Sequence, residues 1–255
     1  MNFEDDARKI LEAYGYEVVK IPKSKLKTPD FLVTDSTSAY LIEVKTKSPS
    51  REQIQERQEI LSAGEFYQLN EQLVPKWTLS VKIKNANHQL SQHQIQKEVL
   101  RLVWLEATDF LKEARMDQFE ATLYGSTCLV DWFKRDRAGI CYFFYNGEFS
   151  RHRDVLDAAI VSAVPRFKLL LNPLSPNYER MKHSSLTHHL RNGVVDPLAI
   201  EAQGKAFIVD GEVNRDDEAE VLAFLQTKYG SAGIRNITIN LLSGTLAVPR
   251  EASET

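Results

Sequence analysis

Asp30, Glu43 and Lys45 are the residues of this chain whose types and spacing point to chemistry. They lie in the stretch Thr28 to Lys47, T-P-D-F-L-V-T-D-S-T-S-A-Y-L-I-E-V-K-T-K. That stretch predicts two strands joined by a polar turn. Phe31, Leu32 and Val33 are the apolar part of the first strand, and Tyr40, Leu41, Ile42 and Val44 of the second. Asp35, Ser36, Thr37 and Ser38 supply the turn. Side chains alternate along a strand, so Glu43 and Lys45 share one face and Val44 takes the other. Charges in a largely buried strand cost several kcal/mol or more unless a partner or a metal compensates. Asp30 begins the neighbouring strand and can supply a second carboxylate. Two carboxylates and a lysine at one sheet edge make a divalent-cation site with a cationic helper. The plainer reading is an ordinary Glu43–Lys45 surface pair worth about 0–1 kcal/mol, with Pro29-Asp30 an ordinary turn-to-strand junction.

Other elements must hold these groups in place. Residues 3–14 predict an amphipathic helix, with Ala7, Ile10, Leu11 and Tyr14 on one side. Asn2 suits its N-cap, and Glu4, Asp5 and Asp6 fall in the first turn, where the helix dipole favours anions. Gly15 ends it, and Glu17 to Ile21 predicts a strand. Residues 49–78 are polar, with Ile54, Ile60 and Leu61 as one narrow apolar stripe. They predict either a substrate-covering insertion or a plain surface helix. Residues 79–98 predict a second core helix through Leu79, Ile83, Ala86, Leu90 and Ile95, and Leu100 to Ala107 predicts a fourth core strand.

Pro29-Asp30 followed, after twelve intervening residues, by Glu43-Val44-Lys45 resembles the signature of the PD-(D/E)XK nuclease superfamily. The order helix, three strands, helix, strand over residues 1–107 is similar to the restriction-endonuclease-like core of that superfamily. The resemblance implies an α/β fold and a Mg²⁺-dependent nuclease, with Mn²⁺ as a substitute. Asp30 and Glu43 would be metal ligands, with the Val44 carbonyl completing the shell. A bound Mg²⁺ acts as Lewis acid and activates water. Lys45 would orient or deprotonate that water and offset charge in the transition state. Glu4 and Gly15 resemble the layout of archaeal Holliday-junction resolvases, which would bring Glu4 to the site. Glu4 reads equally well as a dipole-favoured surface acid. Gln89, in A-N-H-Q-L, is the helix residue expected to face the site; Lys82 and Lys84 are weaker candidates, expected to be solvated. Lys23, Lys25 and Lys27, in the basic loop after Lys20, would hold phosphates, unless the loop is simply solvated. The implied substrate is nucleic acid, DNA first, cut to leave a 5′-phosphate. The alternative is a nucleic-acid-binding or protein-interaction module that keeps the fold without cleavage.

Composition limits the choices. With 255 residues and 43% hydrophobic content, the chain can bury a sizeable core in one or two domains. No apolar run approaches the roughly 18–20 residues that span a bilayer, and the acidic start is unlike a secretory leader, so a cytoplasmic protein without a membrane partner is expected. Cys128 and Cys141 read as reduced core residues. A net charge of -3 argues against a broadly basic coat but allows a local basic groove.

Residues 108–250 predict a strand-rich extension of the sheet or a second subdomain, without a motif for its task. Strands are expected at Thr127–Trp132, Gly139–Asn146, Ala158–Val164, Phe167–Leu171, Ala206–Val209, Ile237–Leu242 and Thr245–Val248, and a helix at Asp217–Lys228. The run Tyr142 to Tyr145 reads as a buried strand rather than a base-stacking surface. His183, His188 and His189 lack the neighbours that would complete a zinc site. This half could extend the sheet, grip substrate or form a homodimer.

Overall fold

The computed structural model describes residues 3–23, 27–72, 77–93, 98–108, 111–134, 137–237 and 241–246. The chain begins with α1 (Phe3–Ala13), which buries Ala7 and Leu11. Gly15 has φ 88°, a left-handed value that suits glycine, and it lets the Tyr16 N–H return to the Leu11 carbonyl at 3.2 Å. Three strands follow: β1 (Glu17–Lys20), β2 (Phe31–Thr34) and β3 (Ala39–Lys47). In the tight turn between the last two, Asp35 Oδ1 accepts the N–H groups of Thr37 and Ser38, each at 2.7 Å.

An excursion then carries α2 (Arg51–Ser62) and β4 (Tyr67–Gln72) before α3 (Trp77–Gln92) and β5 (Leu100–Ala107). Beyond these come α4 (Lys112–Tyr124), β6 (Thr127–Asp131), β7 (Ala138–Tyr142), α5 (Glu148–Arg151), β8 (Ala158–Ala163) and β9 (Arg166–Leu171). The chain continues through α6 (Tyr178–Lys182), α7 (Ser185–His189), β10 (Val194–Val195), α8 (Pro197–Ala202), β11 (Ala206–Ile208), α9 (Glu218–Tyr229), β12 (Ile234–Ile237) and β13 (Leu241–Leu246).

The architecture is mixed α/β around a seven-stranded sheet of order β1-β2-β3-β5-β8-β9-β10. β2 runs antiparallel to both β1 and β3, and β5 and β8 continue parallel to β3. β9 then runs antiparallel to β8. Strand alternation gives the sheet two apolar faces. Ile42, Val44, Leu102, Trp104 and Ile160 pack with Ala7 and Leu11 of α1. Leu41, Val103, Leu105 and Val161 pack with α3, α4 and a second, four-stranded sheet of order β11-β7-β6-β12. Each large side chain so buried contributes about 1.5–3 kcal/mol. β4 and β13 form a separate two-stranded sheet.

The sheet does not stop at residue 107: β8 and β9 lie directly beyond β5, so residues 158–171 share its core. Several expected elements need correction. The second core helix ends at Gln92, not residue 98, and Ile95 lies outside the described residues, as does Asn2. β7 ends at Tyr142, because Phe143 takes φ 60°, a value a strand cannot hold; Tyr142, Phe143 and Phe144 are nonetheless buried. The segment expected to be a strand at 237–242 is instead the end of β12 and the start of β13, with 238–240 outside the described residues. α4 gives no amphipathic signal because it is covered on nearly every side, Arg115, Gln118 and Glu120 included. Both cysteines are free. Among the described residues no helix is long and apolar enough to cross a membrane.

Candidate active site

β2 begins at Phe31, opposite Ile42, so Glu43–Lys47 of β3 have no partner on β2, and the site forms in that gap. The Asp30 N–H donates to the Ile42 carbonyl at 3.2 Å, and its own carbonyl accepts from the Ile21 N–H at 2.9 Å. The backbone of Asp30 is thereby pinned between β1 and β3. The next N–H of β3 on this edge, that of Val44, finds no strand opposite among the described residues and donates to Asp30 Oδ2 at 2.8 Å. A strand residue directs its N–H and C=O to the same side, so the Val44 carbonyl opens on this edge too.

Glu43 projects from β3 toward α3 and is 1% exposed. One of its oxygens contacts the Lys45 ammonium directly, as the two-residue spacing requires. The other, Oε2, is buried without a hydrogen-bond partner among the described residues. Burial, and secondarily the Asp30 carboxylate, pushes Glu43 up to about 7, against the opposing pull of Lys45. Asp30 is also buried, at 8% exposure. Two carboxylates thus share a poorly solvated space.

α3 supplies the orienting group. Gln89 Oε1 accepts from Lys45 Nζ at 2.8 Å, and Gln89 Nε2 donates to the Thr28 carbonyl at 3.0 Å. That second bond fixes which end of the amide faces Lys45. α1 contributes from the rim. Glu4 is 2.7 Å from Lys20 Nζ and 3.6 Å from Lys23 Nζ, and the Lys20 hydrogen bond holds its carboxyl below the usual range.

Asp30, Glu43, Val44, Lys45, Gln89 and Glu4 all line one cleft of about 350 Å³, joined by Lys23 and Lys27. Lys25 lies outside the described residues. Lys82 and Lys84 do not line the cleft. Two contributors escaped the sequence pattern. The Thr28 carbonyl is a backbone group with no residue signature. Lys20 was visible only as one of a run of lysines, yet its position at the end of β1 puts it against Glu4.

Among the described residues no three His, Cys, Asp or Glu side chains form a ready-made metal cluster. The donor set at the cleft is two carboxylates and a backbone carbonyl. That suits a hard cation such as Mg²⁺, which retains several waters and needs few protein ligands. The Glu43 Oε2, buried beside the Asp30 carboxylate, fits such an ion. A larger hollow of about 560 Å³ lies across the sheet, beside α1. Its buried acid, Glu106, is already engaged by the Ser162 hydroxyl, which in turn accepts from Trp104 Nε1 at 2.6 Å. That acid is therefore spoken for, and the smaller cleft holds the chemically open groups. Compared with protein-family models, curated proteins and solved structures, the chain matches none of them.

Proposed function

We propose that this chain is a divalent-cation-dependent nuclease of the PD-(D/E)XK type, hydrolysing phosphodiester bonds in DNA. The observation that carries the reading is the meeting of Asp30, Glu43 and Lys45 in one cleft, with Glu43 Oε2 buried and unpartnered among the described residues. The element order supports it. α1 leads into three antiparallel strands, and α3 connects them to β5, parallel to β3, with α2 and β4 as an insertion.

Asp30 and Glu43 would hold the metal, with the Val44 carbonyl beside them. When bound, Mg²⁺ or Mn²⁺ supplies a Lewis acid and lowers the cost of making hydroxide from water. The rest falls to the chain. Lys45, held by Gln89, presents an ammonium where negative charge grows on the phosphate. Gln89 and Glu43 together fix where that ammonium sits. Lys23 and Lys27 at the rim receive neighbouring phosphates of the strand.

The test is cleavage of plasmid DNA by purified protein with Mg²⁺ and with EDTA. Wild type should nick or linearise it only with the metal, and Asp30→Asn, Glu43→Gln and Lys45→Ala should not. Equal cutting by wild type and these variants would refute the assignment. Tight, salt-sensitive binding without cutting would move it to a binding module on the same fold.

A further inference from the structure

Single exposed apolar side chains are ordinary on protein surfaces. The turn between β6 and β7 is different, because it exposes two aromatic rings in succession on a fixed backbone. Trp132 is 64% exposed and Phe133 74%. The backbone of Trp132, Phe133 and Lys134 is held by hydrogen bonds. The Trp132 N–H donates to the Gly233 carbonyl at 3.0 Å, and the Lys134 N–H to the Asp131 carbonyl at 3.1 Å. Asp131, fully buried, accepts through Oδ1 from the Phe133 N–H at 3.0 Å and from the Ser231 hydroxyl at 2.8 Å. Gly233 lies so close that a Cβ there would be 2.7 Å from Asp131 Oδ1 and 2.8 Å from the Phe133 ring. The glycine is what lets β12 support the turn.

Rigid aromatic groups lose little freedom on binding, so a preorganised pair is a good stacking surface. The charge around it selects the ligand. Arg137 lies over the Phe207 and Tyr229 rings, so in a chain of net charge -3 the platform keeps two exposed cations. Lys134 is exposed beside the rings, and Arg235 is exposed on β12, paired in register with Val130. An apolar protein surface would gain nothing from this local excess of cations. A polyanion carrying a flat ring at every repeat would use both features. In a duplex the faces of the bases are hidden, so the ligand is an unpaired strand.

Resting on the nuclease reading above, we propose that Trp132 and Phe133 form a stacking platform for unpaired bases, with Lys134 and Arg235 against the adjoining phosphates. The platform's sheet packs on the same face of the large sheet that carries Glu43. The substrate class is then DNA with a single-stranded segment rather than uniform duplex.

The experiment measures binding of the full chain, in EDTA, to labelled oligo(dT) and to an oligomer of abasic sites of the same length. The abasic oligomer keeps the phosphates and removes the rings. Wild type should prefer oligo(dT), with quenching of tryptophan emission. Trp132→Ala and Phe133→Ala should each bind it about 5- to 100-fold more weakly, with unchanged circular dichroism and unfolding midpoint. Trp132→Phe should lose the quenching while keeping most of the affinity, because a ring remains. Lys134→Gln should flatten the salt dependence for both oligomers. Equal affinity for the two oligomers, or wild-type binding by both alanine variants, overturns the platform. So does self-association of wild type that Trp132→Ala abolishes, which would assign the rings to a contact between copies. The two proposals fail separately: Asp30-dependent plasmid cutting without an oligo(dT) preference sinks only the platform. Ring-dependent binding without any metal-dependent cutting sinks only the nuclease.

Discussion

Asp30 completes the edge of β3 by accepting the Val44 N–H on its carboxylate at 2.8 Å. A side chain thus does what β2 would do if it began earlier. The same carboxylate faces Glu43, so one residue serves both the sheet and the cleft. Structure and chemistry can be separated at this position because an amide keeps an acceptor oxygen but not the charge.

Asp30→Asn should therefore fold close to wild type while losing metal-dependent cleavage. Asp30→Ala should lose cleavage and also leave the Val44 N–H without its acceptor, at a cost of about 1–3 kcal/mol. Urea unfolding beside plasmid cutting distinguishes the two variants. If Asp30→Ala is as stable as Asp30→Asn, the carboxylate is not closing the strand.

Glu43 gives a prediction in pH. Burial and the neighbouring Asp30 raise its folded pKa from the ordinary 4.5 to about 7. The folded chain then binds a proton that the unfolded chain has released, so metal-free stability should fall as pH rises from about 4.5 to about 7 and level off above. Glu106 and Asp157 are also raised by burial and slope the same way. The difference between wild type and Glu43→Gln isolates the effect. In EDTA, Glu43→Gln should gain on wild type across that window. Thermal melts at several pH values measure it, and a constant difference would mean that Glu43 is not strained by its surroundings.

Gln89 should act on catalysis through Lys45. Its amide is fixed by the Thr28 carbonyl at one end and holds the Lys45 ammonium at the other. Gln89→Leu removes both bonds at similar size. Cleavage should fall roughly tenfold or more in kcat with little change in KM, because the ammonium is misplaced rather than absent. Lys45→Met, which removes the charge, should cost about 10²- to 10³-fold. If Gln89→Leu loses as much as Lys45→Met, Gln89 touches the reacting groups itself.

The clustering at the candidate site was readable in the sequence because its parts obey local rules. Strand alternation alone puts Glu43 and Lys45 on one face, and a Pro-Asp pair at a strand start puts Asp30 at its edge. The helix carrying Gln89 follows from its apolar stripe, Leu79, Ile83, Ala86 and Leu90, all buried. What stayed hidden depends on distant packing. α4 is packed against β5, β8, α3 and α5, so its sequence carries no separate polar face to mark it. β4 is a strand because β13 pairs with it from about 170 residues away along the chain. Phe143 turns out of β7 at φ 60°, where its N–H meets the Tyr124 carbonyl at 3.0 Å. Each of these is imposed by the tertiary structure, and a window of a dozen residues does not contain the cause.

Glu4 gives the last test of the cleft. Its carboxylate lines the cleft but is taken up by Lys20 at 2.7 Å and Lys23 at 3.6 Å. If those lysines merely neutralise a rim acid, Glu4→Gln should leave cleavage unchanged, and Lys20→Ala should do the same. If Glu4 holds a water or a second cation during the reaction, Glu4→Gln should lower kcat by tenfold or more. Lys20→Ala should then tighten Mg²⁺ binding, since it frees the carboxylate from its competitor. The second pattern is expected, because α1 brings Glu4 to the same cleft as Asp30 and Glu43, not to the open surface. Magnesium titration of cleavage by wild type, Glu4→Gln and Lys20→Ala decides it. Wild-type rates and Mg²⁺ midpoints in both variants would reduce Glu4 to a dipole-favoured surface acid.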